Sequence, residues 1–329
     1  MSKVKFGLVG YGSMGRNHAR VLKSLENVEL LGIADSNAAL GESLEGTTRV
    51  NSVEELIKLG IEACVVAAPT TLHRAIAEKL ASANVATLIE KPLASTPDDA
   101  QAIVDAFAKS NTLGAVGHIE RFNPAIQALK IRLEEGQIGA IYQISTQRQG
   151  PFPARIGDVG VISDLASHDV DLTSFIAGSD YKSVMAVTGH KSGREHEDLV
   201  SVTGELTNGI AINHIVNWLS PMKQRQTVVI GERGSLIAST LNGSLTFYEN
   251  SEAVNPWDNS ENFKGVAEGN VTQYAIPKTE PLRNELTAFI DAFVSSNIDH
   301  IVTLESGLKT VATCQAILES AKSASQVKV

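Results

Sequence analysis

Residues 3–25, "KVKFGLVGYGSMGRNHARVLKSL", decide how the rest of the chain is read. A β-rich run ends in a cluster of glycines. A segment with His18, Val21, Leu22 and Leu25 at helical spacing follows at once. Gly10, Gly12 and Gly15 stand in G-x-G-x-x-G spacing, a pattern that a chain with 26 glycines can produce by accident. Its position gives it meaning. Gly10 suits a tight turn, Gly12 lets the backbone come close to a ligand, and Gly15 lets the helix pack against the strand. Strand, glycine turn and helix together open a parallel sheet with crossover helices.

Working outward, the first 120 residues keep alternating strand-like and helical runs. "VELLGIAD" reads as a strand. "SVEELIKLG" is a short helix with Ser52 as cap and Glu55 three residues on. "IEACVVAAPT" is apolar nearly throughout, as expected of a strand covered on both faces. A helix "TLHRAIAEKLASAN", a strand "ATLIEKP", a helix with Pro97 in its first turn and "TLGAVGH" complete the series. Past residue 120 the texture changes to a helix, a strand "GAIYQISTQRQ" and then a meander. Val200, Val202, Gly204 and Leu206 alternate, Asn208-Gly209 turns, and Ile210, Ile212, His214, Val216 and Trp218 alternate back. Residues 250–281 read as an irregular segment, and two amphipathic helices follow. The expected fold class is α/β. A doubly wound parallel (Rossmann) sheet spans 1–120, and an α+β domain with a mostly antiparallel open sheet spans 121–329. The last helices are free to pack back on the first domain.

Bulk composition narrows the function. At 329 residues, 43% hydrophobic and 20% charged, the chain suits two globular domains. A net charge of −9 argues against nucleic acid as partner, and the longest apolar run falls far short of a membrane span. The N-terminus passes directly into a strand, so no signal peptide is expected. Two cysteines make neither a disulfide framework nor a metal spacing, which points to a reducing cytoplasm and no metal.

A helix N-terminus behind a glycine turn favours a pyrophosphate, so Gly10, Gly12, Ser13, Met14 and Gly15 are the expected cofactor contacts. Asp35 ends the second strand twenty residues after Gly15, with Ser36 beside it. A carboxylate there accepts hydrogen bonds from adenosine ribose hydroxyls and repels a 2′-phosphate. No arginine follows it in "ADSNAAL", so NAD is favoured over NADP. Pro69, Thr70 and His73 fall at the carboxyl end of one strand, and Glu90 and Lys91 at the end of the next, where such sheets bind ligands. His73 is equally readable as an ordinary helix N-terminal residue, and Lys91 as a surface lysine paired with Glu90. In "SDLASHDVD", 163–171, helical spacing would put Asp164, His168 and Asp171 on one stripe. That stripe is either a solvated acidic face or a general base held by its neighbours.

In order along the chain, "GYGSMG", "APTTLH", "EKPLA", "GHIERFNP" and "GVISDLASHDVDL" resemble the Gfo/Idh/MocA oxidoreductase family, and "VVIGERGSL" resembles its second domain. The resemblance covers nearly the whole chain. It implies a dehydrogenase acting on sugars, inositols or sugar nucleotides, assembled as a homodimer or homotetramer through the open face of the second sheet. By this likeness Lys91 is the catalytic lysine, Asp164 and His168 are the D-x-x-x-H pair, and Asp171 is a structural acid. His168, with a reference pKa near 6.5, would take the proton of a secondary alcohol as hydride leaves the same carbon for the nicotinamide. Where many relatives have aromatic-Asn-Arg-Arg-Phe, this chain has "HIERF", so only Arg121 and Phe122 match.

The segment "QRQGPFPARIGDVGVISDLASHDVDL" is most similar to the subgroup that oxidises UDP-N-acetylglucosamine at C3. Arg148 and Arg155 lie ahead of the D-x-x-x-H motif, in a stretch expected to be a loop stiffened by Pro151 and Pro153. Guanidinium groups there could grip a diphosphate, with Arg121 and Asn123 as further substrate contacts. Three alternatives share the scaffold. A free-sugar or inositol dehydrogenase would not need the arginines. An NAD-dependent glycoside hydrolase would release no net NADH. A cofactor-binding regulator would not need Lys91, Asp164 and His168.

Overall fold

In a computed structural model, the structure describes residues 3–35, 44–153, 159–251 and 267–329. Strand β1 (Val4–Val9) buries Phe6 and Leu8 completely and feeds helix α1 (Ser13–Lys23) through the glycine turn. β2 (Val28–Ala34), β3 (Thr48–Val50), α2 (Val53–Lys58), β4 (Ala63–Val66), α3 (His73–Ser82), β5 (Ala86–Glu90), α4 (Pro97–Ser110) and β6 (Gly114–Gly117) follow. The six strands are all parallel in the order β3-β2-β1-β4-β5-β6, with β4 and β5 buried throughout. That continuous burial is why "ACVV" and "ATLIE" show no alternation. Caps hold the helices where the sequence placed them. Ser52 Oγ accepts the Glu55 N–H, and the Glu55 carboxylate accepts the Asn51 N–H. Thr96 Oγ1 accepts the Asp99 N–H with Pro97 in the first turn.

The later strands form a second sheet. Helix α5 (Pro124–Glu134) precedes β7 (Ile141–Pro151), and a π-helical turn (Ile162–Ala166) runs into α6 (Ser167–Ala177). Then come β8 (Tyr181–Gly189), β9 (Leu199–Leu206), β10 (Ala211–Asn217), β11 (Leu219–Gly231), β12 (Gly234–Ser239), β13 (Ser244–Ser251) and β14 (Ala267–Tyr274). β9 and β10 pair antiparallel around Gly209, whose φ of 85° is the left-handed value a tight turn requires. With the final β15 (Val327–Lys328) the order is β14-β13-β12-β11-β7-β10-β9-β8-β15, antiparallel except between β7 and β10. β14 corrects the reading of 250–281 as irregular. Its strand is an exposed edge with neither face buried, and so carries no alternation of apolar and polar residues to read.

Helices α7 (Pro281–Ser295) and α8 (Leu304–Ser323) return to the first sheet. Two compact units result, one of residues 1–119 with 280–315 and one of 120–279 with 316–329. Leu282, Leu286 and Phe289 of α7 join the core of the first unit, where the Phe289 ring meets Phe6 edge-on at 6.3 Å. Ala115 of β6 bridges to Thr303.

Candidate active site

The glycine turn is shaped as its spacing implies. Gly10 has φ 89°, and a Cβ there would lie 2.6 Å from the Ala67 carbonyl oxygen. A Cβ on Gly15 would lie 2.0 Å from Gly10 O, whereas one on Gly12 would meet open space. Gly12 caps α1 without any side-chain hydrogen bond, so backbone N–H groups at the start of α1, near Ser13 and Met14, lack a side-chain acceptor. An uncapped helix N-terminus beside an open glycine fits a dinucleotide pyrophosphate. Asp35 Oδ2 accepts the Tyr11 N–H at 2.6 Å, tying the end of β2 to the turn. Ser36 lies outside the described residues.

At the neighbouring strand ends, two expected ligand contacts turn out to have internal partners. His73 is buried, with Nδ1 3.1 and 3.2 Å from the Pro92 and Leu93 carbonyl oxygens and Nε2 3.0 Å from Ala68 O. Burial holds its pKa below the ordinary histidine value, against the pull of those carbonyls. His73 therefore joins the turn after β4 to the segment after Lys91. Pro69 is exposed and Thr70 half-buried on that turn. Glu90 meets His18 Nε2 at 2.6 Å, and its other oxygen accepts the Lys91 N–H. Burial pushes the Glu90 carboxyl up, but His18 and Lys91 outweigh it and hold the group below the usual carboxylate range. Lys91 itself is half-buried, and its bond to Pro92 is cis.

In the second unit the D-x-x-x-H motif departs from a plain α-helical stripe. Asp164 lies in the π-helical turn, and His168 in the first turn of α6. The entry to this segment is held by Glu197, whose carbonyl accepts the Val161 N–H and whose carboxylate accepts the Ile162 N–H, both at 3.0 Å. A Cβ on Gly160 would collide with that carboxylate. Two arginines hold the first turns of α6. Arg148 Nε donates to Asp169 at 3.0 Å, and its Nη1 to Glu120 at 2.9 Å. Arg121 donates to both oxygens of Asp171, at 2.9 and 2.6 Å, with its guanidinium over the Phe175 ring. Burial pushes the Asp169 carboxyl above its ordinary value, against the pull of Arg148.

Three of the residues expected to meet substrate, Arg148, Arg121 and Asn123, have internal partners. Arg148 lies inside β7 rather than in a loop, 4% exposed and spent on two carboxylates. Arg121 is spent on Asp171. Asn123 caps α5 by accepting the Ala125 N–H and donates to Thr240 O. Arg155 falls outside the described residues. Asp169, Glu120 and Glu197 were missed as positioning groups. Alternation along "ISTQRQ" puts Arg148 on the covered face with Ile144 and Thr146, and a buried arginine demands acids nearby. Among the described residues no group of His, Cys, Asp and Glu could hold a metal, and no helix is long and apolar enough to cross a membrane.

A parallel sheet in this order, opened by an uncapped glycine turn and followed by a large mixed sheet, defines a two-part architecture whose first part suits a dinucleotide. The chain belongs to the Gfo/Idh/MocA oxidoreductase family: residues 4–118 match its NAD-binding Rossmann fold and residues 130–329 its C-terminal alpha/beta domain. It is 28% identical to the UDP-N-acetylglucosamine 3-dehydrogenase of Acidithiobacillus ferrooxidans over 90% of each chain. It is 27% identical to inositol 2-dehydrogenase 2 of Saccharopolyspora erythraea, over 99% of this chain and 95% of that one. The solved Acidithiobacillus enzyme superposes with a TM-score of 0.85 at 24% identity, covering 98% of this chain and 99% of that one. A levoglucosan dehydrogenase solved with NADH and levoglucosan gives 0.84 at 20% identity, covering both chains fully.

Proposed function

We propose that this protein oxidises a secondary hydroxyl of a sugar nucleotide, C3 of UDP-N-acetylglucosamine, with NAD as cofactor. The observation that carries the reading is the 28% identity to an enzyme of that activity through 90% of both chains. Residues 1–120 bind the cofactor. Residues 121–329 bind substrate and, through the open face of their sheet, a second copy in a homodimer or homotetramer of the cytoplasm.

Gly10, Gly12, Ser13, Met14 and Gly15 hold the pyrophosphate, and Asp35 accepts from the adenosine ribose. A bound nicotinamide supplies the two-electron acceptor. The chain supplies the proton chemistry. His168 takes the hydroxyl proton, Asp164 orients that hydroxyl, and the Lys91 ammonium stabilises the oxygen as negative charge grows on it. The supports already described keep these groups still: Glu197 and Gly160 fix the entry to the π-helical turn, and Arg148 and Arg121 fix α6.

A free sugar or inositol as substrate is the second reading. It is favoured by the loss of Arg148 and Arg121 to internal carboxylates, and by likeness to an inositol 2-dehydrogenase over 99% of this chain. Absorbance at 340 nm separates the two readings, with NAD and a panel of UDP-N-acetylglucosamine, N-acetylglucosamine, glucose and myo-inositol. A rise with the UDP-sugar alone is expected, and a rise with a free polyol overturns the nucleotide reading. NADP in place of NAD should give a lower kcat/KM, and Asp35→Ala should narrow the gap.

A further inference from the structure

Arg148 and Arg225 stand directly opposite one another on the antiparallel strands β7 and β11. Like charges facing across a strand pair repel, so the arrangement needs compensation. Arg148 has it, in Asp169 and Glu120. Arg225 does not. It is half-buried on the same covered face as Thr227 and Val229, and its Nη1 donates to the main-chain oxygens of Gln149 and Gln224, at 2.7 and 2.8 Å. Among the described residues no carboxylate pairs with it, and its Nε–H and Nη2 edge has no acceptor. Burial and the charge of Arg148 lower its pKa, and the charges of Asp169, Glu120 and Asp164 act on it from further off. Gly150 lies beside it: a Cβ there would come within 3.3 Å of Lys223 Cγ and 3.9 Å of Arg225 Nη1.

We infer that Arg225 is the residue that binds the anionic group of the substrate, a phosphate or diphosphate, through the unused edge of its guanidinium. That edge presents parallel N–H donors, the geometry that grips a phosphate bidentately. Arg225 thus takes the part that Arg148 and Arg121, spent on carboxylates, leave open. The inference rests on the reading that the substrate carries phosphate. It names the group that would select such a substrate over a free polyol.

The test is calorimetric titration of UDP and, separately, glucose 6-phosphate into the wild-type protein, Arg225→Gln and Arg225→Lys, with NAD titration as a check of the fold. The expected result is UDP binding to wild type, at least tenfold weaker binding to Arg225→Gln, and an intermediate loss for Arg225→Lys, which keeps the charge but not the fork. In turnover, KM for the UDP-sugar should rise by a similar factor with kcat little changed. Equal UDP binding by wild type and Arg225→Gln overturns the role of Arg225 and leaves the sugar-nucleotide reading standing. Binding of glucose 6-phosphate but not UDP, lost in Arg225→Gln, upholds the anion site and overturns the nucleotide. Wild type that binds neither anion overturns both.

Discussion

His18 Nε2 lies 2.6 Å from Glu90 Oε1, joining the helix that follows the glycine turn to the residue just before Lys91. His18 is fully buried and Glu90 nearly so. A buried carboxylate and its partner add little net stability, because desolvation offsets attraction, but removing the partner leaves the Glu90 charge uncompensated. His18→Ala should cost about 3–5 kcal/mol in denaturant unfolding. Because the folded pKa of Glu90 is depressed, its contribution is present above the unfolded value near 4.5 and fades as pH falls through the folded one. Unfolding titrations at neutral pH and near pH 3 would show the variant and wild type drawing closer in acid. A constant gap would contradict the pairing.

Arg148 poses the same problem with two acids. Arg148→Ala strands Asp169 and Glu120 on the covered face of the sheet and should destabilise by about 3–5 kcal/mol. Arg148→Lys should recover less than half, because an ammonium cannot reproduce a fork that serves two carboxylates. Thermal melts of the three proteins decide this, and full rescue by lysine would show that charge alone suffices.

His214 lies between Thr146 Oγ1 and Tyr181 Oη, 2.8 Å from each, and burial lowers its pKa to about 4. A neutral imidazole, with one donor and one acceptor nitrogen, suits two hydroxyls. The unfolded chain takes up a proton near pH 6.5 that the native state refuses until about 4. Stability is therefore present in full above pH 6.5 and is lost as pH falls to 4, on the order of 3 kcal/mol in all. His214→Gln should flatten that slope in unfolding measured across the range.

Lys91→Ala and His168→Ala should each bind NAD as wild type does and lose roughly 100- to 10,000-fold in kcat, the span of positioned acid–base catalysis. NAD fluorescence titration and stopped-flow turnover give the two readouts. Undiminished turnover in either variant removes that residue from the chemistry.

The glycine turn was legible because backbone shape and spacing are the same signal: Gly10 and Gly15 leave no room for a Cβ. The hairpin around Gly209 was legible for the same local reason. What escaped lies in pairings distant in sequence. Nothing around His73 announces the Pro92 and Leu93 carbonyls, and nothing around Arg121 announces Asp171, fifty residues on. The π-helical turn at Ile162–Ala166 was hidden too, since it shifts the face presented by Asp164 without altering composition.

Phe289 reaches the core that holds Phe6 only after the chain has passed through residues 120–279 of the second unit. On a ribosome adding about 5–20 residues per second, residues 120–279 take some ten to thirty seconds to appear. Through that interval the nascent sheet of β1–β6 lacks Leu282, Leu286 and Phe289, and its apolar surface there waits for a helix not yet made. Order of synthesis thus lets the later sheet form all but its last strand before the glycine-turn unit receives its closing helices.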